Sequence, residues 1–249
     1  ALRLEQFRMT NTYEHIVVCG YNEGAGLLLE TLREEIDPTR TEVVIFGRGE
    51  RPHSVPHEYR WVEGDPTKES ELDKARMAEA RAVIVVGERG MLPQAADANT
   101  ILTVFTIRRA LKKHQAPRQH DLYIVAEILD HENVEHAFAS GCNEVIETTR
   151  LGFSLISHAI SHPGTGALLG LLATSDGQNL YVGLAPEALG PDATFKDAVQ
   201  HLADKGIVVV GLRDRDAVDR LNPPPGTRLA EVDGLIYIAD SPSLPRLIG

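Results

Sequence analysis

A glycine-rich turn near the start of the chain has the residues best suited to bind a charged small molecule. The apolar run 15–19 (HIVVC) leads into residues 20–26 (GYNEGAG), and an amphipathic helical pattern follows. Backbone N–H groups at the N-terminus of such a helix can meet an anion, with glycines where a Cβ would collide with the ligand. The spacing G-x-G-x-x-G falls here on Gly20, Asn22 and Ala25, so the turn departs from the dinucleotide-binding pattern.

Further candidate ligand contacts follow the strands that we expect beside this turn. Arg48 follows the second predicted strand, where a nicotinamide-binding fold usually has an acid for the adenosine ribose. Asp65, Gly87 and Glu127 follow the third, fourth and fifth strands. The carboxyl ends of parallel strands meet at one edge of a sheet, so these residues should line one crevice. The predicted binding residues are Gly20, Tyr21, Asn22, Glu23, Gly24, Arg48, Asp65, Gly87 and Glu127.

Asp65 has two interpretations. Followed by Pro66, it has the features of an N-cap that begins a helix running through Leu72, Ala75 and Met77. Its carboxylate could also face the crevice. Both interpretations stay open at this point.

The histidines and cysteines predict no metal site. The pairs His158/His162 and His53/His57 each have a spacing of four, which places two imidazoles on one helix face, but neither has the accompanying glutamate or a third ligand. The only cysteines, Cys19 and Cys142, indicate neither a disulfide nor a cysteine-rich metal centre. The location of any metal site is therefore unknown from the sequence.

Six short apolar runs alternate with helical patterns over the first 148 residues. The runs are 15–19, 42–46, 59–62, 82–86, 122–126 and 144–146, and the unbroken apolar character of the fourth predicts burial on both faces. Helices are expected near 25–36, 95–114 and 133–139. This alternation predicts an α/β fold with a Rossmann-like, doubly wound parallel sheet.

The rest of the chain changes character. Residues 150–161 form a predicted amphipathic helix with almost no charge, ended by Pro163 and Gly164, which we expect to pack on a partner subunit or to bridge two lobes. Beyond it, strands at 181–184, 207–212 and 235–239 and a helix at 194–203 predict a smaller α+β lobe. The predicted domains are 1–13 (connector), 14–148 (Rossmann-like lobe), 149–165 (crossover helix) and 166–249 (C-terminal lobe).

Bulk properties exclude several classes of protein. The formal net charge of −11 argues against a general nucleic-acid binder, which needs a basic surface. The sparse cysteines are typical of a reducing, cytoplasmic compartment. The longest apolar run, 166–173, is far below the roughly 18 residues that a membrane span needs. The chain begins at Ala1 without a signal peptide, and we take it to be cut or processed from something longer.

Taken in order along nearly the whole chain, these motifs resemble the RCK domain, the regulator of potassium conductance found on ligand-gated potassium channels. That domain is similar to the regulatory subunits of Trk/Ktr potassium-uptake systems. In the first lobe the resemblance is carried by 15–20 (HIVVCG), 64–67 (GDPT), 80–85 (ARAVIV), 126–127 (AE), 132–133 (EN), 139–141 (ASG) and 144–146 (EVI). In the second lobe it is carried by Gly211, 222–224 (NPP) and 233–234 (DG).

The resemblance implies a regulatory, non-enzymatic role. RCK domains have a Rossmann-like lobe, a helical crossover through which two domains interlock, and a C-terminal lobe. Homo-oligomers of eight domains form a gating ring under a transmembrane potassium pore, on the cytoplasmic side of the cell membrane. Residues 1–13 then correspond to the linker from the pore, and Met9 to an internal start for free subunits.

For the ligand, the resemblance implies a nucleotide or a divalent cation. Calcium-activated members carry carboxylates just after the fourth strand and two residues apart after the fifth. Here the fourth strand runs into Val86 and Gly87, and after the fifth only Glu127 fits, with Leu129 in the second place. Calcium takes six to eight oxygens. We therefore favour an adenine nucleotide or NAD(H) in the crevice, with calcium as the alternative.

Two other functions stay open. A separate, peripheral NAD- or ATP-binding subunit of a Trk/Ktr-type uptake system would have the same domain. A nicotinamide-dependent oxidoreductase would share the fold, but the chain has no Tyr-Lys pair or His-acid constellation for hydride transfer, and it lacks the acid for the ribose. No catalytic residue is assigned.

Overall fold

The computed structural model describes residues 14–21, 25–37, 40–113, 121–173 and 177–245. The chain falls into two units, with the boundary after Ser157. This boundary lies inside the predicted crossover 149–165, and the four-part division given above stays a prediction. The predicted connector, residues 1–13, lies outside the described residues. Among the helices that are described, none combines the length and the apolar character needed to cross a bilayer.

The first unit has a six-stranded parallel sheet in the order β3-β2-β1-β4-β5-β6. Its strands are β1 (Ile16–Cys19), β2 (Val43–Gly47), β3 (Arg60–Glu63), β4 (Ala82–Val85), β5 (Tyr123–Glu127) and β6 (Glu144–Ile146). Ile16 of β1 pairs with Val43 on one side and Ala82 on the other. The strand order reverses between β1 and β4, so the predicted doubly wound sheet is confirmed and a crevice opens at the carboxyl ends of these two strands.

Helices cover both faces of this sheet. They are α1 (Gly26–Glu35), α2 (Pro93–Lys113) and α3 (Val134–Ser140), with 3-10 turns at Glu69–Ala75, Met77–Glu79 and His131–Asn133. On one face α1 buries Leu29 and Leu32, and on the other α2 and α3 bury Ile107 and Ala137. Burial on both faces explains why β1 and β2 are apolar throughout. In β4 only Val83 and Val85 are fully buried, so the predicted burial of this strand on both faces holds only in part.

The predicted helix start at Asp65 is wrong. The Asp65 carboxylate instead accepts hydrogen bonds from the backbone N–H (3.1 Å) and the hydroxyl (2.7 Å) of Thr67, which is an Asx turn. The following helix begins only at Glu69 and is a 3-10 helix. It ends at Arg76, whose φ of 48° is left-handed. Local side-chain bonding to the backbone has replaced helix capping here.

Two helices follow β6. α4 (Thr148–Ser161) begins two residues before its predicted start, and α5 (Thr165–Ala173) was not predicted as a helix at all. They are separated by residues 162–164, where Gly164 takes a φ of 93° that favours glycine. The boundary between the two units falls within α4.

The second unit has a four-stranded antiparallel sheet in the order β7-β10-β8-β9, as expected for the smaller α+β lobe. Its elements are β7 (Asn179–Gly183), α6 (Phe195–Ala203), β8 (Val208–Asp214), β9 (Asp219–Leu221) and β10 (Val232–Ala239). The short, exposed β9 was not predicted. Thr194 and Asp197 form a capping box at the start of α6. Phe195, Ala198 and Leu202 of α6 share one core with Leu235 and Tyr237 of β10.

Candidate functional site

A cavity of about 140 Å³ lies at the carboxyl edge of the six-stranded sheet, where the strand order reverses. Its walls come from the ends of β1, β2 and β4, from the turn after β3 and from α2; those used below are Gly20, Tyr21, Arg48, Glu88, Thr100 and Thr103. Pockets for whole small molecules start near roughly 300 Å³. The enclosed volume is therefore smaller than a pocket for a whole small molecule.

Gly20 shapes the floor of the cavity. Its φ is 81°, and a Cβ added there would lie 2.4 Å from the carbonyl oxygen of Val86. The backbone after β1 thus passes so close to the end of β4 that only glycine fits. This is a physical reason for glycine at the first position of the predicted turn. Asn22, Glu23 and Gly24, the next predicted binding residues, lie outside the described residues.

Tyr21 is 8% exposed and closes one side of the cavity. Its hydroxyl is 3.1 Å from the hydroxyl of Ser54, and its ring meets Trp61 edge-on with the centroids 6.3 Å apart. The indole N–H of Trp61 donates to the carbonyl of Gly49 at 3.2 Å. These contacts hold the loop after β2 against the end of β1.

Arg48 and Asp65 form an ion pair beside the cavity. The Arg48 guanidinium donates to the Asp65 carboxylate at 3.0 Å, and its side chain is 54% exposed against 16% for Asp65. Desolvation of Asp65 opposes ionisation, but hydrogen bonds from Thr67 and Arg48 outweigh it and lower the Asp65 pKa to about 2. Arg48 lines the cavity, whereas Asp65 does not line it and is bonded to two lining residues, Arg48 and Thr67. A fixed cation at this position suits a phosphate or another anion.

Glu127 is turned into a network rather than toward the cavity. Its carboxylate accepts hydrogen bonds from the N–H of Gly87 (3.0 Å), from the guanidinium of Arg89 (2.5 Å) and from the hydroxyl of Thr148 (2.6 Å). Neither Gly87 nor Glu127 lines the cavity. Of the predicted binding residues that are described, the structure brings Gly20, Tyr21 and Arg48 to the cavity wall.

Thr100 was missed by the sequence analysis. It is 2% exposed, lines the cavity, and its hydroxyl has no hydrogen-bond partner among the described residues. The neighbouring hydroxyl of Thr103, in contrast, donates to the carbonyl of Asn99 at 2.8 Å. A buried hydroxyl without a partner costs free energy, which a ligand that bonds to it would recover. The available signal was the repeat of threonine at 100, 103 and 106 along one predicted helix.

Asp97 was also missed. It is fully buried in α2, and its carboxylate accepts hydrogen bonds at 2.9 Å from the N–H groups of Leu129 and Asp130 and from the Asn133 amide. These bonds fix the loop after β5 at the same edge of the sheet. Nothing in the local sequence distinguishes Asp97 from an exposed acid in a helix.

The candidate metal ligands are the histidines and acidic side chains of the described residues. Over the described residues, no group of three or more His, Cys, Asp or Glu side chains is arranged to hold a metal ion. The rings of His158 and His162 stack with their centroids 4.5 Å apart on the exposed surface of α4 and the turn after it. The carboxylate oxygens of Glu127 already accept three hydrogen bonds from the chain itself.

α4 presents an apolar stripe to solvent. No side chain of the helix is buried. The α4 stripe consists of Phe153, Ile156 and Ile160, which are 68%, 58% and 78% exposed and lie on one helix face at spacings of three and four. Exposed apolar surface of this kind is typical of an interaction site.

Comparisons with known proteins give related sequences. The family model of the calcium-activated potassium channel slowpoke-like RCK domain matches residues 11–135, about half of the chain. The calcium-gated potassium channel TvoK of Thermoplasma volcanium is 28% identical over 201 residues, which are 78% of this chain and 54% of TvoK. YugO of Bacillus subtilis is 23% identical over 227 residues, 90% of this chain and 65% of YugO. The chain spans about half to two thirds of these relatives.

Solved structures give the same architecture. The human SLO3 gating ring is similar with a TM-score of 0.70 and 17% identity, over 92% of this chain and 44% of that chain. At this identity the likeness concerns the fold alone.

Proposed function

The chain belongs to the RCK domain family, and on that premise we propose that it regulates a potassium channel by binding a small ligand at the carboxyl edge of its six-stranded sheet. TvoK, a relative, is a calcium-gated potassium channel. The role is regulatory rather than enzymatic: the ligand is held and released unchanged, and its binding shifts the channel between open and closed states. A ligand can do this only through different affinities for the two states.

The ligand that we propose is an adenine nucleotide or NAD(H). The observation that carries this proposal is the buried, unpartnered hydroxyl of Thr100 in the cavity wall. Arg48, which follows β2, lines the same cavity and supplies a positive charge for a phosphate. Gly20 permits the tight turn after β1 that places the backbone in the cavity wall.

Calcium is the less favoured ligand. TvoK is calcium-gated, which keeps the ion a candidate here. However, Glu127 is committed to Gly87, Arg89 and Thr148 and would have to give up these hydrogen bonds to bind an ion. A calcium site needs six to eight oxygens.

We propose that α4 joins two copies of the chain. The α4 stripe is apolar, exposed and uncharged, and burying it against a second copy would remove it from water. A ring of such pairs beneath the pore, with eight domains, remains a prediction, as does its place at the cytoplasmic face of the cell membrane.

Calorimetry tests the ligand proposal. The purified chain is titrated with AMP, ADP, ATP, NAD, NADH and calcium. We expect at least one nucleotide to bind and the Thr100→Val variant to bind it about 5- to 10-fold more weakly, since a lost hydrogen bond is worth roughly 1–1.5 kcal/mol.

Thr103→Val is the matched control, because this hydroxyl is equally buried but already bonded to Asn99. The nucleotide affinity of Thr103→Val should stay within about 2-fold of the wild type, a smaller change than the loss of one hydrogen bond gives. Absence of binding by every nucleotide, or equal losses in the two variants, would contradict the assignment.

A further inference from the structure

Glu127, at the end of β5, binds two other segments, the loop after β4 and the start of α4, through one buried carboxylate. The residue is 7% exposed. Oε2 accepts the N–H of Gly87, while Oε1 accepts both the guanidinium of Arg89 and the hydroxyl of Thr148. Because the carboxylate is shielded from water, each of these bonds is needed to keep its charge satisfied.

Two of the bonds hold the loop after β4 on both sides of a residue in the cavity wall. Glu88 lines the cavity, Gly87 precedes it and Arg89 follows it. A ligand that attracts or displaces Glu88 therefore acts on a segment whose two neighbours are both bonded to Glu127. This gives a short physical connection from the cavity to the buried carboxylate.

The third bond reaches the first residue of α4. Thr148 begins the helix that carries the α4 stripe of Phe153, Ile156 and Ile160. A negative charge at a helix N-terminus stabilises the helix, since the unpaired N–H groups there carry partial positive charge. Glu127 thus bears directly on how well the first turn of α4 is ordered.

Arg89 is the partner that can move. Its side chain is 43% exposed, against 8% for Glu127, so the guanidinium can turn into solvent or toward an anion in the cavity while the carboxylate stays in place. Once Arg89 leaves, Glu127 depends more on Gly87 and Thr148 for hydrogen bonds. The structure shows the arrangement in which Arg89 is bonded to Glu127; a second arrangement would lack only that bond.

We infer that Glu127 is a positioning residue that couples occupancy of the cavity to the first turn of α4, with Arg89 as its movable partner. The inference rests on the proposed function, because it names how binding at that cavity reaches the helix that we assign to dimerisation. Such coupling is reciprocal: whatever changes the loop must change α4, and whatever changes α4 must change the loop.

Hydrogen–deuterium exchange of the purified chain tests the reciprocity without a ligand. Arg89→Gln should slow amide exchange in peptides covering residues 148–156 by about 3- to 10-fold, because Glu127 then relies more on Thr148. Thr148→Val should likewise slow exchange of residues 86–90, with the size set by the usual range of coupling. Thr149→Val and Glu135→Gln, both at exposed positions, are the controls and should leave both segments unchanged.

In a second experiment ADP or NAD is added at 1 mM, which is about ten times a Kd of ~100 μM. In the wild type the nucleotide should change exchange in 148–156. Glu127→Gln should keep a Kd within about 3-fold of the wild type, because Glu127 does not line the cavity, yet lose that change.

The coupling is overturned if either Arg89→Gln or Thr148→Val leaves the other segment's exchange unchanged, or if Glu127→Gln retains the nucleotide effect. If neither nucleotide binds the wild type but the reciprocal effects are present, the proposed ligand fails and the coupling stands. Should Glu127→Gln fail to fold, Thr148→Val takes its place in the nucleotide arm, because it removes only the bond to an exposed residue of α4.

Discussion

The carboxyl edge of the six-stranded sheet and helix α4 are built in opposite ways. At the sheet edge, Gly20 has no room for a Cβ and the carboxylates of Asp97 and Glu127 accept several hydrogen bonds each. In α4 no side chain is buried, although Phe153 and Ile156 are large and apolar. Apart from the Thr100 hydroxyl, the polar groups named at the sheet edge are bonded within one chain, whereas the apolar side chains of α4 are not covered by any part of the chain that the structure describes.

Because of this difference, we expect buried residues at the sheet to determine the stability of the fold and exposed residues of α4 to determine its assembly. Helix α1, which is also amphipathic, buries Leu29 completely against the sheet and so contributes to the folding of the first unit. The α4 stripe contributes little to the folding of the isolated chain because its side chains remain in water. We therefore expect substitutions in the two helices to affect different measurements.

The largest expected effect comes from comparing Leu29→Ala with Ile156→Asp. Leu29→Ala should lower the free energy of unfolding by about 2–5 kcal/mol, as for other fully buried leucines. Ile156→Asp should change it by less than ~1 kcal/mol, as at other exposed positions. It should instead raise the dimer dissociation constant by about 30-fold or more, the size expected for a central interface residue. Urea unfolding and sedimentation velocity measure the two quantities.

Ser154→Asp is the control for charge, because Ser154 is exposed on the opposite side of α4. It should leave the dimer intact. A chain that is monomeric at all concentrations, or an equal loss of dimer in both α4 variants, would break the comparison.

Most of the first unit could be predicted from the sequence because the spacing of apolar residues indicates which positions are buried. The run 15–19, the face of α1 that contains Leu29 and Leu32, and the glycine that ends α3 all follow from local spacing. α5 was missed because residues 166–173 are apolar on every side, so the spacing of apolar residues gives no helical period there. β9 was missed because three exposed residues carry no apolar pattern.

The site was less predictable because its important bonds join distant segments. Arg89 and Thr148 meet at Glu127 although they lie 38 and 21 residues from it. Asp65 followed by Pro66 has the sequence pattern of a helix start, yet its Oδ1 is bonded to Thr67 and Arg48 and the helix begins only at Glu69. Thr100 and Asp97 are polar residues on a buried helix face, which periodicity cannot separate from ordinary surface residues.

Gly20→Ala should give the second-largest effect and tests how tight the sheet edge is. The variant combines a left-handed φ of 81° with a Cβ 2.4 Å from the Val86 carbonyl oxygen. We expect the free energy of unfolding to fall by about 2–4 kcal/mol, from backbone strain together with overpacking. Gly49→Ala is a matched control, because its φ is 77° but a Cβ there meets nothing within 4 Å.

Gly49→Ala measures the effect of backbone strain alone and should lower the free energy of unfolding by only about 1–2 kcal/mol. Urea unfolding of both variants gives the difference. Equal losses would mean that the approach of β1 to β4 is loose, and the contrast with α4 would then weaken.

The smallest expected effect is the pH dependence contributed by Asp65. Its pKa in the folded chain is about 2, below the ordinary value of 3.8, so its stabilising effect is complete above about pH 4 and is lost as the pH falls through about 2.

Asp65→Asn keeps an acceptor for Thr67 but removes the charge that meets Arg48. Since Arg48 is 54% exposed, the loss near neutral pH should be about 1 kcal/mol or less. Urea unfolding should show this difference as constant from pH 7 to 4 and shrinking below pH 4. A difference for Asp65→Asn that stays the same down to pH 2.5 would mean that the ion pair beside the cavity does not form in solution.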